Sequence, residues 1–216
     1  MAKVYLSPST QFDNIYSGVD TNEGDICEKI GLAAEKALKR CGFTVKRGTR
    51  NSDMSQRVDE SNKWGADVHI PIHTNAGGGE GTEVFVYPGF ADNKYAKGIY
   101  TSVAAVSIGK DRGIKENSGL YELSATTAMA VYVECEFHDT NGAWIVNNID
   151  RIGEAIAKGC CKAEGRTYVP ENVPENVPSS EIKYIVQAGA FAKKANAERL
   201  VNDLHKAGFD AFITTK

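Results

Sequence analysis

The sequence ADVHIPIHTNA occupies residues 66–76 and leads into a glycine run, Gly77 to Gly79. Read as a strand, it places its apolar residues on one face and both histidines, His69 and His73, on the other. Functional groups in α/β proteins collect where strands end. The pattern predicts that His73, next to the loop, is a metal ligand. His69 lies further back and is interpreted as a hydrogen-bonded structural residue.

Strand-like and helix-like segments alternate around this stretch. Besides the histidine strand, the predicted strands are Lys3–Leu6, Phe43–Lys46, Glu83–Tyr87 and Met129–His138. Stripes of apolar residues at helical spacing predict helices at Asn22–Cys41, Asn93–Val106 and Asn141–Cys161. A polar helix is predicted at Ser52–Trp64, opened by Ser52 or Asp53 and ended by Gly65. This alternation predicts an α/β fold with a mostly parallel sheet flanked by helices on both faces.

Composition excludes several classes of function. A net charge of −3 over 216 residues offers no basic field for nucleic acid. No apolar run approaches the ~20 residues that a membrane-inserted helix needs. The N-terminus enters a strand pattern without a signal peptide, so we expect a protein that is cytoplasmic until release. The five cysteines form no Cys-x-x-Cys pair, which is typical of free thiols in a reducing compartment.

The pattern breaks after the last predicted helix. A repeated Pro-Glu-Asn-Val unit lies within residues 165–182 and predicts an extended linker between a domain at 1–164 and a tail at 183–216. The tail reads as a small βαβ unit, with strands at Lys183–Gln187 and Asp210–Thr214 around one helix. A unit below about 40 residues rarely folds alone. It would need a missing second half, the main domain or a second copy of the chain as a homodimer.

The strand Met129–His138 carries an unusual polar face. The alternation rule places Tyr132, Glu134, Glu136 and His138 together, opposite an apolar face. A buried glutamate is costly unless it is paired or bound to a metal. The face therefore predicts either a chemical site or, equally well on pattern alone, the solvated side of an edge strand.

A third acid, Glu23, lies in the first turn of the first long helix. The helix dipole alone would favour an acid there, but a helix start can also present a carboxylate toward strand ends. Together Glu23, His73, Glu134 and His138 offer the nitrogen and oxygen donors that suit Zn²⁺, with one carboxylate to spare. Zinc-bound water has its pKa lowered toward ~7, and a free glutamate can pass its proton to a leaving amine. This is the chemistry of amide hydrolysis.

With these residues the chain resembles a known family, the zinc-dependent N-acetylmuramoyl-L-alanine amidases of the amidase-3 type found in clostridial wall hydrolases, autolysins and phage endolysins. The likeness spans residues 1–162. Its segments are Leu6–Gln11, Thr21–Glu23, Asp67–Asn75 and Val131–Asp139 with Ala143–Ile145. It implies a twisted, mostly parallel sheet, one zinc ion, and cleavage of the amide between muramic acid and L-alanine in peptidoglycan.

Residue by residue, the resemblance makes Glu23 and His73 metal ligands and Glu134 the catalytic glutamate. Most members carry a further histidine ligand just after the first strand, where this chain has Thr10 and Gln11. We expect His138 to supply the missing nitrogen, with His69 or a residue of the first motif as alternatives. Glu136 would orient a ligand.

The tail resembles the first half of a sporulation-related repeat, a family linked to glycan binding. It carries the likeness in Tyr184–Phe191, Ala197–Leu200 and Ala207–Ala211. The resulting expectation is a peptidoglycan amidase that contacts glycan and stem peptide, with a wall-binding or dimerising tail. The alternative is an inactive peptidoglycan-binding module that lost its metal with the change at Thr10.

Overall fold

The computed structural model describes residues 2–109, 112–171, 189, 191–206 and 213. The chain divides into two compact units, residues 1–171 and residues 172–216. In the second unit the described element is a helix, Lys194–Lys206. The tail strands predicted at 183–187 and 210–214 lie outside the described residues, apart from Ile213.

The first unit alternates strands and helices. Its strands are β1 (Lys3–Pro8), β2 (Thr44–Arg47), β3 (Val68–Asn75), β4 (Glu83–Val86), β5 (Ile114–Glu116), β6 (Met129–Ala130) and β7 (Tyr132–Phe137). Its helices are α1 (Glu23–Arg40), α2 (Met54–Trp64), α3 (Lys94–Ala104), α4 (Tyr121–Ser124), α5 (His138–Asn147) and α6 (Ile149–Ala163). The helix of the second unit is α7. Within the described ranges, no helix is long and apolar enough to cross a membrane.

The strands form one sheet in the order β2-β1-β3-β7-β4-β5, and β6 pairs with β3. Among the described strands, β4 and β7 are the one antiparallel pair. The predicted α/β fold with a mostly parallel sheet is therefore confirmed. β7 lies between β3 and β4, so it is an interior strand, and the edge-strand interpretation of its polar face is wrong.

Two predicted elements end differently in the structure. The predicted strand Met129–His138 is two short strands, and His138 already begins α5. The predicted helix Asn141–Cys161 is two helices, because Asn148 has non-helical dihedral angles of φ −126° and ψ 22°. Asn141, where that helix was predicted to begin, lies at a kink inside α5.

One face of the sheet carries the hydrophobic core. The alternate residues of β3 and β7 that were predicted to share an apolar face, such as Ile70 and Val133, are fully buried there, and so is Leu6 of β1. They pack against α1, α3 and α6, which contact one another closely. The other face is polar along the same strands, and α2 and α4 lie on that side near β1.

Close packing of α3 on α6 depends on glycine. A Cβ atom added at Gly159 would lie 2.5 Å from the Ile99 Cα atom and 2.7 Å from its backbone nitrogen. Backbone atoms cannot move aside as a flexible side chain can, so a methyl group here would force the two helices apart.

We therefore predict that Gly159→Ala lowers the free energy of unfolding by about 2 kcal/mol, the cost of overpacking a tight contact. Helix propensity alone would give the opposite sign, since alanine favours a helix over glycine by about 1 kcal/mol. Thermal and urea unfolding would measure the change. The control is Lys158→Ala on the exposed side of the same helix. A stabilised Gly159→Ala protein would contradict the packing.

Candidate active site

Glu134 lies at the centre of the polar face. In the sheet it is directly opposite His73 of β3 on one side and Glu83 of β4 on the other. Its Oε2 atom is buried and has no hydrogen-bond partner among the described residues. Burial raises the pKa of Glu134 to about 7; nearby His73 opposes the rise, while Glu23 and Glu83 add to it. A carboxylate in this state is suited to accept a proton near neutral pH.

Glu23 and His73 form a buried pair beside Glu134. Asn22 caps α1 by accepting from the Asp25 backbone, which fixes the helix start that presents Glu23. The Glu23 Oε1 atom lies 2.8 Å from His73 Nδ1, and Asn14 donates to Glu23 Oε2 at 2.8 Å. Burial would raise the pKa of Glu23, but hydrogen bonding and charge from His73 outweigh it and the pKa is lowered. This places the predicted pair together.

The His73 ring is held on several sides. It stacks on Tyr132 with ring centroids 4.4 Å apart. Its Nε2 atom lies 4.0 Å from Glu122 Oε2. Burial alone would lower the pKa of His73, but the hydrogen bond to Glu23 and the surrounding carboxylates raise it. The imidazole is therefore fixed in orientation within an acidic environment.

His69 is joined to this group through Glu122, which lies between the two histidines. Its Nε2 atom lies 3.1 Å from Glu122 Oε1, which also accepts from the Ser7 hydroxyl, and its ring stacks on Tyr5. These contacts favour the structural interpretation of His69. Sequence reasoning missed Glu122 and Glu83, because one lies in an irregular segment and the other at a strand start, where a charged residue normally faces solvent.

The hydrogen bonds and ring contact of His138 in the described part of the chain are with residues other than this pair. Its Nδ1 atom is 3.1 Å from both the hydroxyl and the backbone oxygen of Thr74, and its ring stacks on Tyr16. The alternation that grouped it with Glu134 fails because the strand ends one residue earlier, at Phe137. None of its hydrogen bonds among the described residues goes to Glu23 or His73, and its role as a metal ligand stays a prediction.

The metal donors present fall short of a three-ligand centre. The described part of the chain contains no group of three or more histidine, cysteine, aspartate or glutamate side chains arranged to hold a metal ion. Gln11 also lies beside this pair, with its Nε2 atom 3.4 Å from His73 Nδ1. An amide is a neutral, weak donor compared with imidazole or carboxylate. The residues therefore fit two of the three protein ligands of a catalytic zinc.

Two carboxylates shape the loop that follows β3. Glu136, predicted to orient a ligand, instead accepts from the backbone of Gly81 at 2.5 Å and from the Ser107 hydroxyl. Asp139 accepts from the backbone nitrogens of Gly77 and Gly78 at 2.8 and 2.7 Å. Both glycines have positive φ, which other residues adopt at a cost. The glycine loop beside the site is thus fixed by hydrogen bonds.

Comparison with known proteins agrees with this arrangement. Residues 14–162 match the model of the amidase-3 family, described as N-acetylmuramoyl-L-alanine amidase, and residues 180–216 match that of the SPOR domain. One relative is the N-acetylmuramoyl-L-alanine amidase CwlM of Bacillus licheniformis, 34% identical over 76% of this chain and 65% of that protein. Another is the sporulation-specific N-acetylmuramoyl-L-alanine amidase of Bacillus subtilis, 30% identical over 78% of this chain and 66% of that protein. The chain thus spans slightly less than two thirds of the length of these relatives.

Solved structures share the fold. The catalytic domain of CwlV, an N-acetylmuramoyl-L-alanine amidase from Bacillus (Paenibacillus) polymyxa, superposes with a TM-score of 0.70 at 20% identity, covering 77% of this chain and all of that one. The amidase AmiC2 of Nostoc punctiforme gives 0.69 at 18% identity, over 76% and 98% of the two chains. With its first unit matched by the family model and its sheet by these structures, the chain belongs to the N-acetylmuramoyl-L-alanine amidase family of the amidase-3 type.

Proposed function

We propose that the chain hydrolyses the amide between N-acetylmuramic acid and L-alanine in bacterial peptidoglycan. Family membership supports the reaction class, and the buried, unpartnered Oε2 atom of Glu134 beside the Glu23–His73 pair is the observation that carries it. A water molecule attacks the amide carbonyl carbon. Glu134 takes a proton from that water and gives it to the leaving nitrogen of L-alanine as the carbon–nitrogen bond breaks.

The surrounding residues support this role by restricting movement. Tyr132 stacks on His73 and lies on the same strand as Glu134. The glycine loop held by Glu136 and Asp139 follows directly on β3 and borders the same end of the sheet. We propose that the stem peptide lies between this loop and the segment containing α4.

We predict that Glu134→Gln lowers the rate of amide hydrolysis by at least about 100-fold, since an amide cannot accept the proton. The measurement is the release of free L-alanine amino groups from purified cell wall. Unfolding temperature should change little, because the carboxylate makes no hydrogen bond through Oε2 that would be lost.

The matched control is Glu171→Gln, an exposed glutamate beyond α6 and outside both the glycine loop and the α4 segment. It should retain the wild-type rate. Full activity in Glu134→Gln, with normal folding, would remove Glu134 from the reaction.

We further propose that zinc is the metal of this enzyme and that this chain holds it weakly. Glu23 and His73 would supply two protein ligands, and His138 stays a predicted third. When bound, zinc supplies Lewis acidity toward the substrate carbonyl. Weak binding follows from the Gln11 amide standing where an imidazole would complete the set, 3.4 Å from His73 Nδ1.

We predict that Gln11→His raises the affinity for zinc by at least about 10-fold. Residues that only hydrogen-bond to a metal ligand already change metal affinity by about 10-fold or more, so a direct ligand should contribute at least as much. Competition against a chelating dye measures the affinity without reference to activity. The same substitution on an exposed part of α2, Gln56→His, should leave the affinity unchanged. Tight wild-type binding that Gln11→His does not improve would show that the third ligand comes from elsewhere.

A second candidate function is favoured by the same incomplete ligand set. It is a peptidoglycan-binding module that keeps the cleft without catalysis. A protein that sediments with purified wall but releases no L-alanine amino groups, with or without added zinc, would establish this alternative.

For the tail we propose glycan binding, supported by the SPOR match over residues 180–216. The chain would then comprise the catalytic domain at 1–164, the proline-rich linker at 165–182 and the wall-binding unit at 183–216. Residues up to Val169 still contact the first unit, since Val169 accepts from Arg40 through its backbone oxygen. Association of two tails in a homodimer stays a prediction.

A further inference from the structure

Two cations share one buried carboxylate at the edge of the polar face. The Lys115 ammonium group forms an ion pair with Glu83 Oε1, and Arg112 Nε lies 3.6 Å from the same oxygen. Asn75 donates to the other oxygen of Glu83 at 3.2 Å. Within the described residues Glu83 is the only ion-pair partner of either cation. One negative charge therefore faces two positive charges, and one positive charge is left over.

Arg112 and Lys115 are accessible to solvent, although Glu83, which pairs with both, is buried. Glu83 has 5% of its side chain exposed, against 36% for Arg112 and 47% for Lys115. The Arg112 guanidinium also lies over the Phe137 ring, 4.9 Å from its centroid, which limits its movement. The arrangement fixes two charged groups at the surface.

Lys115 lies on the same face of the sheet as Glu134, and Arg112 approaches the same Glu83 oxygen from the segment before β5. Lys115 pairs with Phe85, and Phe85 pairs with Tyr132, so the three side chains project from one side of the sheet together with Glu134. Glu83 is directly opposite Glu134. Adjacent strands are about 4.8 Å apart, which puts the strand of Lys115 about 10 Å from that of Glu134.

This separation matches the substrate of the proposed function. The stem peptide begins at the scissile amide, and each extended residue spans about 3.5 Å. A carboxylate on the second stem residue would lie about 7 Å from the scissile nitrogen. The long side chains of lysine and arginine cover the remaining distance, and arginine binds carboxylates through two parallel hydrogen bonds.

We propose that Arg112 and Lys115 form a subsite for the carboxylate on the second residue of the stem peptide. This subsite rests on the proposed amidase function and names a specificity for it. Glu83 holds the two cations in place, and the surplus positive charge selects a free carboxylate over its uncharged carboxamide.

The test compares two N-acetylmuramoyl tripeptides that differ only in a free carboxylate or a carboxamide at the second residue. We expect wild-type kcat/KM to favour the acid by about 10-fold, the value of one charge-assisted contact. In the double variant R112Q/K115M this preference should fall to about 1. The readout is the ratio of the two rates within one variant, because Glu83 loses both cations opposite Glu134 and the rates on both substrates change together. Lys97→Met, an exposed lysine of α3 paired with Asp92, serves as the control and should keep the preference.

Titration calorimetry with both tripeptides separates this proposal from the amidase proposal. If neither peptide is cut but the acid binds more tightly and R112Q/K115M abolishes the difference, the subsite stands and the amidase function fails. If both are cut at equal rates, or the double variant keeps the preference, the amidase function stands and the subsite is wrong.

Discussion

The in-register pairing of β7 with β3 is the constraint on which the rest of the site depends. It places Glu134 opposite His73 in the interior of the sheet, with the Glu134 Oε2 atom buried and without a hydrogen-bond partner among the described residues. The antiparallel addition of β4 then brings Glu83 to the other side of Glu134. Three ionisable groups thus share one row, and burial raises the pKa of Glu134 to about 7. Slipping the register by one residue would move Glu134 to the apolar face.

One face of the sheet packs into the hydrophobic core, and the other face carries the candidate active site. The apolar face is closed by three helices whose contacts are tight enough to require glycine at Gly159. The polar face leaves its carboxylates and imidazoles near a loop and a short helix. Buried carboxylates such as Glu136 and Glu122 fix that loop and those rings by hydrogen bonds. The tightly packed helices on the apolar face therefore support the sheet from one side, and hydrogen bonds restrict the movement of the side chains on its polar face.

Local periodicity was enough to predict the fold and part of the site. Alternation identified the faces of β3 and β7, and apolar stripes located α1 and α3. Strand alternation gave a wrong grouping where the strand ends: it placed His138 with Glu134, although α5 begins at His138. Glu83 and Glu122 could not be found, because their importance comes from pairing and burial between distant segments. The sequence also could not show which side chain lies beside His73 at the predicted metal site, because Gln11 is distant from His73 along the chain and approaches it only in the folded protein.

Isotope labelling addresses the central claim most directly, namely that this cleft directs water onto the muramoyl amide. Purified cell wall would be digested in H₂¹⁸O and the fragments analysed by mass spectrometry. The account predicts a single ¹⁸O atom in the lactyl carboxylate of muramic acid, matched by an unlabelled L-alanine with a free amino group. Label in a sugar hydroxyl or at a bond within the stem peptide, with the muramoyl amide intact, would contradict it.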